Sequence, residues 1–289
     1  MPKIAIATDS SSGIKISECQ NNDVFVLPMP FIIDGNEYEE EISLSQEDFY
    51  EKLKENANIS TSQPSPGKVT DFWDKILQTY DEIVYIPLSS GLSAATNTAK
   101  NLALDYPKVY VVDNNRVSVT QKESIYDALK LVQLGYNAKE IKQYLENTKL
   151  DSSIYITVAS LKYLKKGGRI TPAAAALGSL LKIKPILQIQ GQKLDAYAKV
   201  LNFGQAKSKM ITAIKNDIET RFKEYYDKGE LRISVAHTDN LTEAQKFAEE
   251  IRKTFPNIKF LTIDPLSLVI ACHIGPGSLA IAMSRIIKE

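Results

Sequence analysis

Residues 82–113 read EIVYIPLSSGLSAATNTAKNLALDYPKVYVVD, a pattern of strand, helix and strand. Residues 82–88 form an apolar run typical of a buried strand, residues 89–91 open a helix that continues to about residue 105, and residues 108–113 form the next strand. A helix that joins two consecutive strands indicates a parallel sheet with a right-handed crossover. We therefore expect an N-terminal α/β domain with a parallel, Rossmann-like sheet.

The segments on either side of this unit continue the alternation. Residues 3–8 and 24–33 are apolar and extended. Asp34 and Gly35 follow the second run and predict a hairpin, because a type I′ turn needs positive φ at both central positions. Apolar positions at helical spacing, the first set preceded by Ser45 as an N-cap, predict helices at residues 46–55, 69–80 and 118–134.

The second half departs from simple alternation. Residues 185–190 and 193–201 predict an antiparallel hairpin. Helices are expected at residues 161–166, 172–181 and 242–255, with a long one ending near residue 226. Further strands are expected at residues 153–159, 231–237, 257–263 and 266–271. The sequence thus predicts two domains, residues 1–150 and residues 151–289, the second an α/β domain with a mixed or antiparallel sheet.

Length and composition are those of an ordinary globular protein. The chain has 289 residues, 44% of them hydrophobic and 24% charged, which excludes disordered, collagen-like and disulfide-dense classes. No run approaches the ~18 apolar residues of a membrane helix, and Asp9 follows too early for a secretory signal. We therefore expect a cytoplasmic protein without stable membrane insertion. With two cysteines and two histidines, a transition-metal enzyme is not expected.

The charge is distributed unevenly along the chain. Residues 1–150 carry 14 basic and 22 acidic side chains, a net charge of −8, whereas residues 151–289 carry 21 and 13, a net charge of +8. Opposite signs favour docking of the two domains, and they are equally compatible with an acidic protein partner of the basic half. The balanced total does not favour nucleic-acid binding.

The phosphate-binding motifs are incomplete. Gly67 and Lys68 match the end of a Walker loop, but Ser62 replaces its first glycine and Val69 its magnesium-binding hydroxyl residue. Residues 275–280 (GPGSLA) approach a dinucleotide-binding motif without the acidic residue that should follow it. Nucleotide binding is therefore weakly supported.

Ser93 is a candidate nucleophile. Residues 91–95 (GLSAA) resemble the elbow of serine hydrolases, with alanine in place of the last glycine. Asp113 and His273 follow in the chain order of that fold. Asp113, however, closes the very next strand, which is too early for the catalytic acid, and no His-Gly-Gly oxyanion segment is present. A serine hydrolase or esterase that uses Ser93 is the alternative interpretation.

Two hydroxyl-rich segments favour binding of an anion. Residues 61–65 (TSQPS) and 89–93 (SSGLS) lie beside predicted helix starts and can present hydroxyls and backbone N–H groups to one ligand. A carboxylate accepts about four hydrogen bonds, which hydroxyls, N–H groups and a histidine can supply without a formal positive charge. Capping is the commoner role of serine and threonine in such loops. Two such loops in one domain favour a shared site.

Six short motifs extend over the chain: DSSSG at 9–13, TSQPS at 61–65, SSGLS at 89–93, GGRI at 167–170, KPIL at 184–187 and HIGPG at 273–277. In this order they resemble the DegV family of bacterial fatty-acid-binding proteins. The resemblance implies two α/β domains with one long-chain fatty acid between them. It also implies a non-enzymatic carrier without a further cofactor, which presents the acid to a separate fatty acid kinase that makes an acyl phosphate.

The resemblance implies a role for particular residues. The carboxylate contacts of the family fall on Thr61 and Ser93, with His273 close to them. Arg169 is expected near the mouth of the site, where the kinase approaches, together with a basic cluster formed by Lys162, Lys165 and Lys166. The matched motifs also contain supporting residues, namely Ser62, Gly91, Gly275 and Gly277.

The chain departs from the family pattern at three places. Ala94 and Ala282 stand where glycine is usual, and residues 171–173 (TPA) are an unusual continuation of the GGRI motif.

The apolar tail of such a ligand needs a binding site of its own. An enclosed tail of ~16 carbons gains on the order of 10 kcal/mol from burial. Apolar segments that could line such a tunnel are residues 26–33, 172–181 and 266–274.

Overall fold

The computed structural model describes residues 2–21, 23–55, 57–177, 183–190 and 192–288. These residues form two compact units. The first unit comprises the chain up to Leu150 together with Ser267–Val269, and the second comprises Asp151–Leu266 and the chain from Ile270 onward. The first unit therefore includes three residues from late in the sequence.

A parallel sheet forms the centre of the first unit. Its strands are β1 (Ile4–Asp9), β2 (Val24–Leu27), β6 (Glu82–Ile86) and β7 (Val109–Val111). Their order is β2-β1-β6-β7, and every neighbouring pair is parallel. All residues of β1 are buried, as expected for a central strand of a parallel sheet. The parallel α/β architecture predicted from residues 82–113 is confirmed.

A smaller antiparallel sheet belongs to the same unit. Its strands are β3 (Pro30–Ile33), β4 (Asn36–Glu39) and β5 (Ile59–Thr61), in the order β4-β3-β5. The predicted hairpin is confirmed, since Asp34 and Gly35 both have positive φ, 48° and 86°. The apolar run of residues 24–33 is shared between two sheets rather than forming one strand. Pro28 lies between the two strands and, having no N–H group, cannot continue a ladder.

The helices of the first unit are α1 (Gln46–Lys54), α2 (Pro66–Leu77), α3 (Ala95–Leu102), α4 (Val119–Gln133) and α5 (Ala138–Asn147). The predicted cap of α1 is confirmed, because the hydroxyl of Ser45 accepts a hydrogen bond from the Asp48 N–H at 3.1 Å. Helix α3 begins later than residues 89–91. The N–H groups of Leu92 and Ser93 both donate to the carbonyl of Ser89, which makes this segment a turn.

Ser267–Val269 join the first unit at Glu40, the residue after β4. Glu40 is 7% exposed, and its Oε1 accepts the N–H of Leu268 at 2.7 Å. Burial raises the pKa of Glu40 to about 8, because a charged carboxylate is poorly solvated there. This hydrogen bond fixes a segment that is more than 200 residues away in sequence.

The second unit is built on a six-stranded mixed sheet. Its strands are β8 (Ser152–Thr157), β9 (Lys184–Ile189), β10 (Asp195–Val200), β11 (Leu231–Thr238), β12 (Lys259–Pro265) and β13 (Ser278–Arg285). Their order is β10-β9-β8-β13-β11-β12. The β11–β12 pair is parallel and the other pairs are antiparallel. The mixed sheet and the β9–β10 hairpin are therefore confirmed.

The helices of the second unit are α6 (Lys162–Gly167), α7 (Pro172–Ala176), α8 (Phe203–Thr220), α9 (Lys223–Lys228), α10 (Leu241–Thr254) and α11 (Leu268–Ile274), whose first two residues lie in the first unit. The single helix predicted to end near residue 226 is two helices, α8 and α9. Of the helix predicted at residues 172–181, residues 178–181 lie outside the described residues.

Two elements near the end of the chain differ from the prediction. Residues 266–271, expected as a strand, contribute to α11, and residues 278–285 form β13, for which the sequence predicts no strand. Every residue of β13 except Arg285 is buried. A strand covered on both faces lacks the alternation of apolar and polar residues, and a short apolar run does not distinguish a strand from a helix.

Within the described ranges, no helix combines the length and the apolar character needed to cross a membrane.

Candidate functional site

The segment of residues 61–65 connects β5 to α2. Thr61 is the last residue of β5 and is partly buried, so it lies on a strand and not in the expected loop. The N–H of the exposed Ser62 donates to the carbonyl of Pro30 at 3.2 Å. At the other end, the hydroxyl of Ser65 caps α2 by accepting the N–H of Lys68. The backbone on both sides of Gln63 is thus fixed by hydrogen bonds.

The segment of residues 89–93 follows β6 at the carboxyl end of the parallel sheet. The N–H of Gly91 donates to Oγ of the buried Ser89 at 3.2 Å. Oγ of Ser93 accepts the N–H of Ala95, the first residue of α3, at 3.2 Å. Ser93 thus satisfies the first N–H group of α3, although Ala94 occupies the N-cap position. This bond uses the hydroxyl oxygen as an acceptor, so the hydroxyl can still donate its hydrogen to another group.

A hydrogen bond links the first of these segments to α3, the helix that follows the second. The hydroxyl of Thr98 in α3 donates to Oε1 of Gln63 at 3.2 Å. Gln63 is two residues from Thr61, and Thr98 is five residues from Ser93. The structure thus connects the segment of Thr61 to the helix that begins shortly after Ser93.

The DSSSG motif at the end of β1 supports the second of these segments. Asp9 is fully buried, and its carboxylate accepts the N–H groups of Ser11 at 3.0 Å and of Leu88 at 2.8 Å. Burial raises the pKa of Asp9, although these hydrogen bonds oppose the rise. Because Leu88 directly precedes the turn at residues 89–93, Asp9 positions that turn. The sequence analysis assigned no such role to Asp9.

His273 lies in the last turn of α11, in the second unit. Burial and, to a smaller extent, the positive charge of Arg169 lower the pKa of His273 to about 4. The imidazole is therefore neutral near pH 7, with one ring nitrogen as a donor and the other as an acceptor. A neutral imidazole can donate a hydrogen bond to a carboxylate without forming a buried ion pair.

Gly167, the last residue of α6, lies against His273. A Cβ atom on Gly167 would lie 2.9 Å from Cε1 of the imidazole and still closer to its Nδ1. Gly168 has a different role, since its φ of 68° ends the helix in the left-handed conformation. The sequence analysis did not assign a separate role to Gly167. The available signal was the glycine pair itself, because one glycine is enough to end a helix.

The segment of residues 273–277 depends on two further glycines. Gly275 has φ of 77°, and a Cβ atom there would lie 2.5 Å from Cε2 of the Tyr163 ring. Gly277 has φ of 79°, and its N–H donates to the carbonyl of Thr238 at 2.7 Å. The Thr238 hydroxyl donates in turn to the carbonyl of Gly275 at 2.6 Å. The expected supporting glycines therefore fix the shape of this turn.

The basic cluster divides into two parts. Lys162, Lys165 and Lys166 are exposed on α6. Arg169 is partly buried, and its Nη1 donates to the carbonyl of Gly167 at 2.5 Å. The lysines therefore present charge to solvent, whereas the arginine is attached to the end of the helix.

The contacts of Asp113 do not favour a hydrolytic triad. Its carboxylate accepts the ammonium of Lys100 at 3.0 Å and the N–H of Ser90 at 3.4 Å. Across the residues that the structure describes, no group of three or more His, Cys, Asp or Glu side chains could hold a metal ion.

Comparison with known proteins gives a consistent result over the whole chain. The sequence matches the family model described as "Uncharacterised protein, DegV family" over residues 3–285. It is 33% identical to a DegV domain-containing protein of Clostridium perfringens over 299 aligned positions, which cover 100% of both chains.

Two solved structures share this fold. One is DegV from Bacillus subtilis, described as a fatty acid binding protein, with a TM-score of 0.86 and 29% identity over 99% of this chain and 100% of that chain. The other is a DegV family protein from Thermus thermophilus, described by its fatty acid binding, with a TM-score of 0.89 and 25% identity over 98% of this chain and 100% of that chain.

Proposed function

Because the chain belongs to the DegV family, we propose that it binds a long-chain fatty acid and carries it without transforming it. The observation that carries this proposal is the similarity over the full length to two structures that are described as fatty acid binding. The similarity covers both units and not one of them alone. It therefore supports a ligand-binding function that requires the whole fold.

In this proposal the carboxylate is bound by the hydroxyls of Thr61 and Ser93, with His273 as a further donor. Three observations support this choice. The Thr98–Gln63 hydrogen bond connects the segment of Thr61 to α3, which follows Ser93 in the chain. Ser93 accepts the N–H of Ala95 and keeps its own hydrogen for donation. The low pKa of His273 keeps the imidazole neutral near pH 7. All three groups then bind an anion through hydrogen bonds, and none needs a buried countercharge.

The tail of the acid is held in an apolar tunnel. Burial of ~16 carbons would contribute on the order of 10 kcal/mol before the costs of association are subtracted. The segments proposed to line the tunnel contain fully buried side chains, such as Phe31 and Ala174, and the nearly buried Val269. Their apolar character supports the assignment of these segments to the tunnel. Their burial does not distinguish a tunnel wall from an ordinary core, because core residues are buried to the same extent.

The proposed partner is a fatty acid kinase that receives the bound acid. The support for this partner is the basic cluster at α6, where three lysines are exposed within five residues of sequence. Exposed charge of one sign steers the approach of an acidic surface and sets the salt dependence of association.

Mass measurement tests the ligand, and two substitutions test its carboxylate site. Native mass spectrometry of the purified protein is expected to show an adduct with the mass of a long-chain fatty acid. Thr61→Ala and Ser93→Ala are each expected to weaken oleate binding about tenfold, because each removes one hydrogen bond to a charged group. The free energy of unfolding should change by no more than ~1 kcal/mol.

Thr70→Ala is the matched control. The hydroxyl of Thr70 lies in the same unit and donates to the carbonyl of Gly67 at 3.0 Å, within α2. This variant should retain the oleate affinity of the wild type. If Thr61→Ala and Ser93→Ala also retain it, the carboxylate site is wrong, and if the wild type binds neither oleate nor any other long-chain acid, the function is wrong.

A further inference from the structure

Two adjacent glycines end α6, and only one of them is explained by the helix. Gly168 has φ of 68°, and no atom lies within 4 Å of the position that its Cβ would take. Gly167 is still helical, a conformation in which glycine is less favourable than alanine by about 1 kcal/mol. Its lack of a side chain must therefore have another reason.

That reason is the position of the His273 ring. The three heavy atoms nearest to a Cβ on Gly167 all belong to the imidazole, and two of them, Cε1 and Cγ, would lie at 2.9 and 3.1 Å. The ring thus occupies the volume that the side chain of any other residue would need. A helical backbone and a partly buried ring would have to separate if a methyl group were added.

The same residue also holds the charged neighbour of His273. The carbonyl of Gly167 accepts the hydrogen bond from Nη1 of Arg169 at 2.5 Å. Arg169 is the charged group whose field acts on the His273 imidazole. The end of α6 therefore fixes both the space for the ring and the position of the guanidinium beside it. All three residues belong to the second unit.

We propose that Gly167 is a positioning residue for His273, whose imidazole reaches its place beside Arg169 only because residue 167 has no side chain. Gly167 does not itself contact the ligand. The inference rests on the proposed function in its last step alone, the donation of a hydrogen bond from His273 to the carboxylate. In that step a displaced ring weakens binding even though every ligand-contacting residue is still present.

Histidine NMR tests the position of the ring directly. The chain has two histidines, so the His273 signal is the one absent from the His273→Ala variant. In the wild type it should titrate at about pH 4. In Gly167→Ala the ring moves away from its partly buried position beside Arg169, and its pKa should rise by at least one unit toward the ordinary value. Oleate binding should weaken about tenfold in the same variant.

Gly168→Ala is the matched control for chain strain. It places a methyl group at positive φ but meets no neighbouring atom, so it should lower the melting temperature and leave the His273 titration unchanged. An unchanged titration in Gly167→Ala overturns the inference whatever the oleate affinity. A wild type that binds no fatty acid contradicts the proposed function, while the two titrations still decide the role of Gly167.

A double variant decides the question if Gly167→Ala folds poorly. In the His273→Ala background the ring is absent, so adding the methyl group at residue 167 should lower the melting temperature much less than it does in the wild type. An equal loss in both backgrounds would mean that the methyl group conflicts with something other than His273, and would overturn the inference. This cycle requires no ligand.

Discussion

The segments that form the proposed site are built differently in the two units. In the first unit, residues 61–65 and 89–93 are held by hydroxyl and backbone hydrogen bonds, and the nearby Gly67 has open space around it. In the second unit, Gly167 and Gly275 are in close contact with the rings of His273 and Tyr163. The segments of the first unit thus present exchangeable polar groups, whereas those of the second unit are determined by close packing. Substitutions should affect mainly ligand affinity in the first unit and mainly folding in the second.

The largest effect is expected for Gly275→Ala. Positive φ and overlap with the Tyr163 ring act together there, and the two should destabilise the protein by about 4 kcal/mol. Gly67→Ala makes the same chemical change in the first unit, in α2 and without a neighbour within 4 Å. It should be neutral or stabilising by about 0.5 kcal/mol. Urea unfolding measures both, and equal effects would remove the contrast between the units.

Glu40→Gln tests the one buried acidic group of the first unit that fixes the start of α11. The folded-state pKa of Glu40 is about 8 and thus lies above its ordinary value of 4.5. Between these values the unfolded chain has released the proton that the folded chain still holds. The contribution of Glu40 to stability is therefore fully present below pH 4.5 and is lost as the pH rises toward 8.

Glutamine keeps the shape of the side chain and does not titrate. The free energy of unfolding of the wild type should fall, relative to Glu40→Gln, by on the order of 3 kcal/mol from pH 5 to pH 8. Chemical denaturation at several pH values measures this difference. Parallel curves for the two proteins would show that the pKa of Glu40 is not raised by folding.

Thr98→Val tests the link between the two hydroxyl segments. Loss of the hydrogen bond to Gln63 should reduce stability by about 1 kcal/mol, and oleate affinity should fall because Thr61 and Ser93 are no longer held by that link. Thr212→Val is the control, since the hydroxyl of Thr212 donates to the carbonyl of Ser208 within α8. Calorimetric titration with oleate should distinguish them. Equal affinities would show that each segment is positioned independently of the other.

The smallest effect on stability is expected for the double variant Lys165→Glu, Lys166→Glu. Both side chains are exposed, so the free energy of unfolding should change by no more than ~0.5 kcal/mol. Binding of a fatty acid kinase should weaken and lose part of its salt dependence, with oleate affinity unchanged. Lys215→Glu, an exposed change on α8, should affect none of these. If oleate affinity falls instead, the lysines belong to the ligand site.

The first unit follows its local sequence signals closely. The apolar run of β6, the Asp34-Gly35 turn and the Ser45 cap are each determined by a few neighbouring residues, and all three are found where the sequence predicts them. Prediction failed where long-range packing decides. The short strand β5 includes Thr61 because it pairs with β3, which lies about 30 residues earlier in the chain. No local pattern signals such a pairing.

The site shows the same limit. Thr61, Ser93 and His273 are proposed from short motifs, whereas Asp9 and Gly167 contact residues that are about 80 and 100 positions away in sequence. A carboxylate that holds the backbone of Leu88 looks like any capping residue in the sequence. A glycine that makes room for a ring looks like any helix terminator. Their roles depend on contacts that exist only in the folded chain.

The central position of β13 has a consequence for synthesis of the protein. This strand pairs with both β8 and β11. Until residues 278–285 have left the ribosome, the edges of β8 and β11 that pair with β13 therefore have no partner strand. Bare edges of buried, apolar strands are prone to aggregate. The nascent chain therefore passes through a vulnerable interval late in translation, in which a chaperone is expected to protect the second unit but not the parallel sheet of the first.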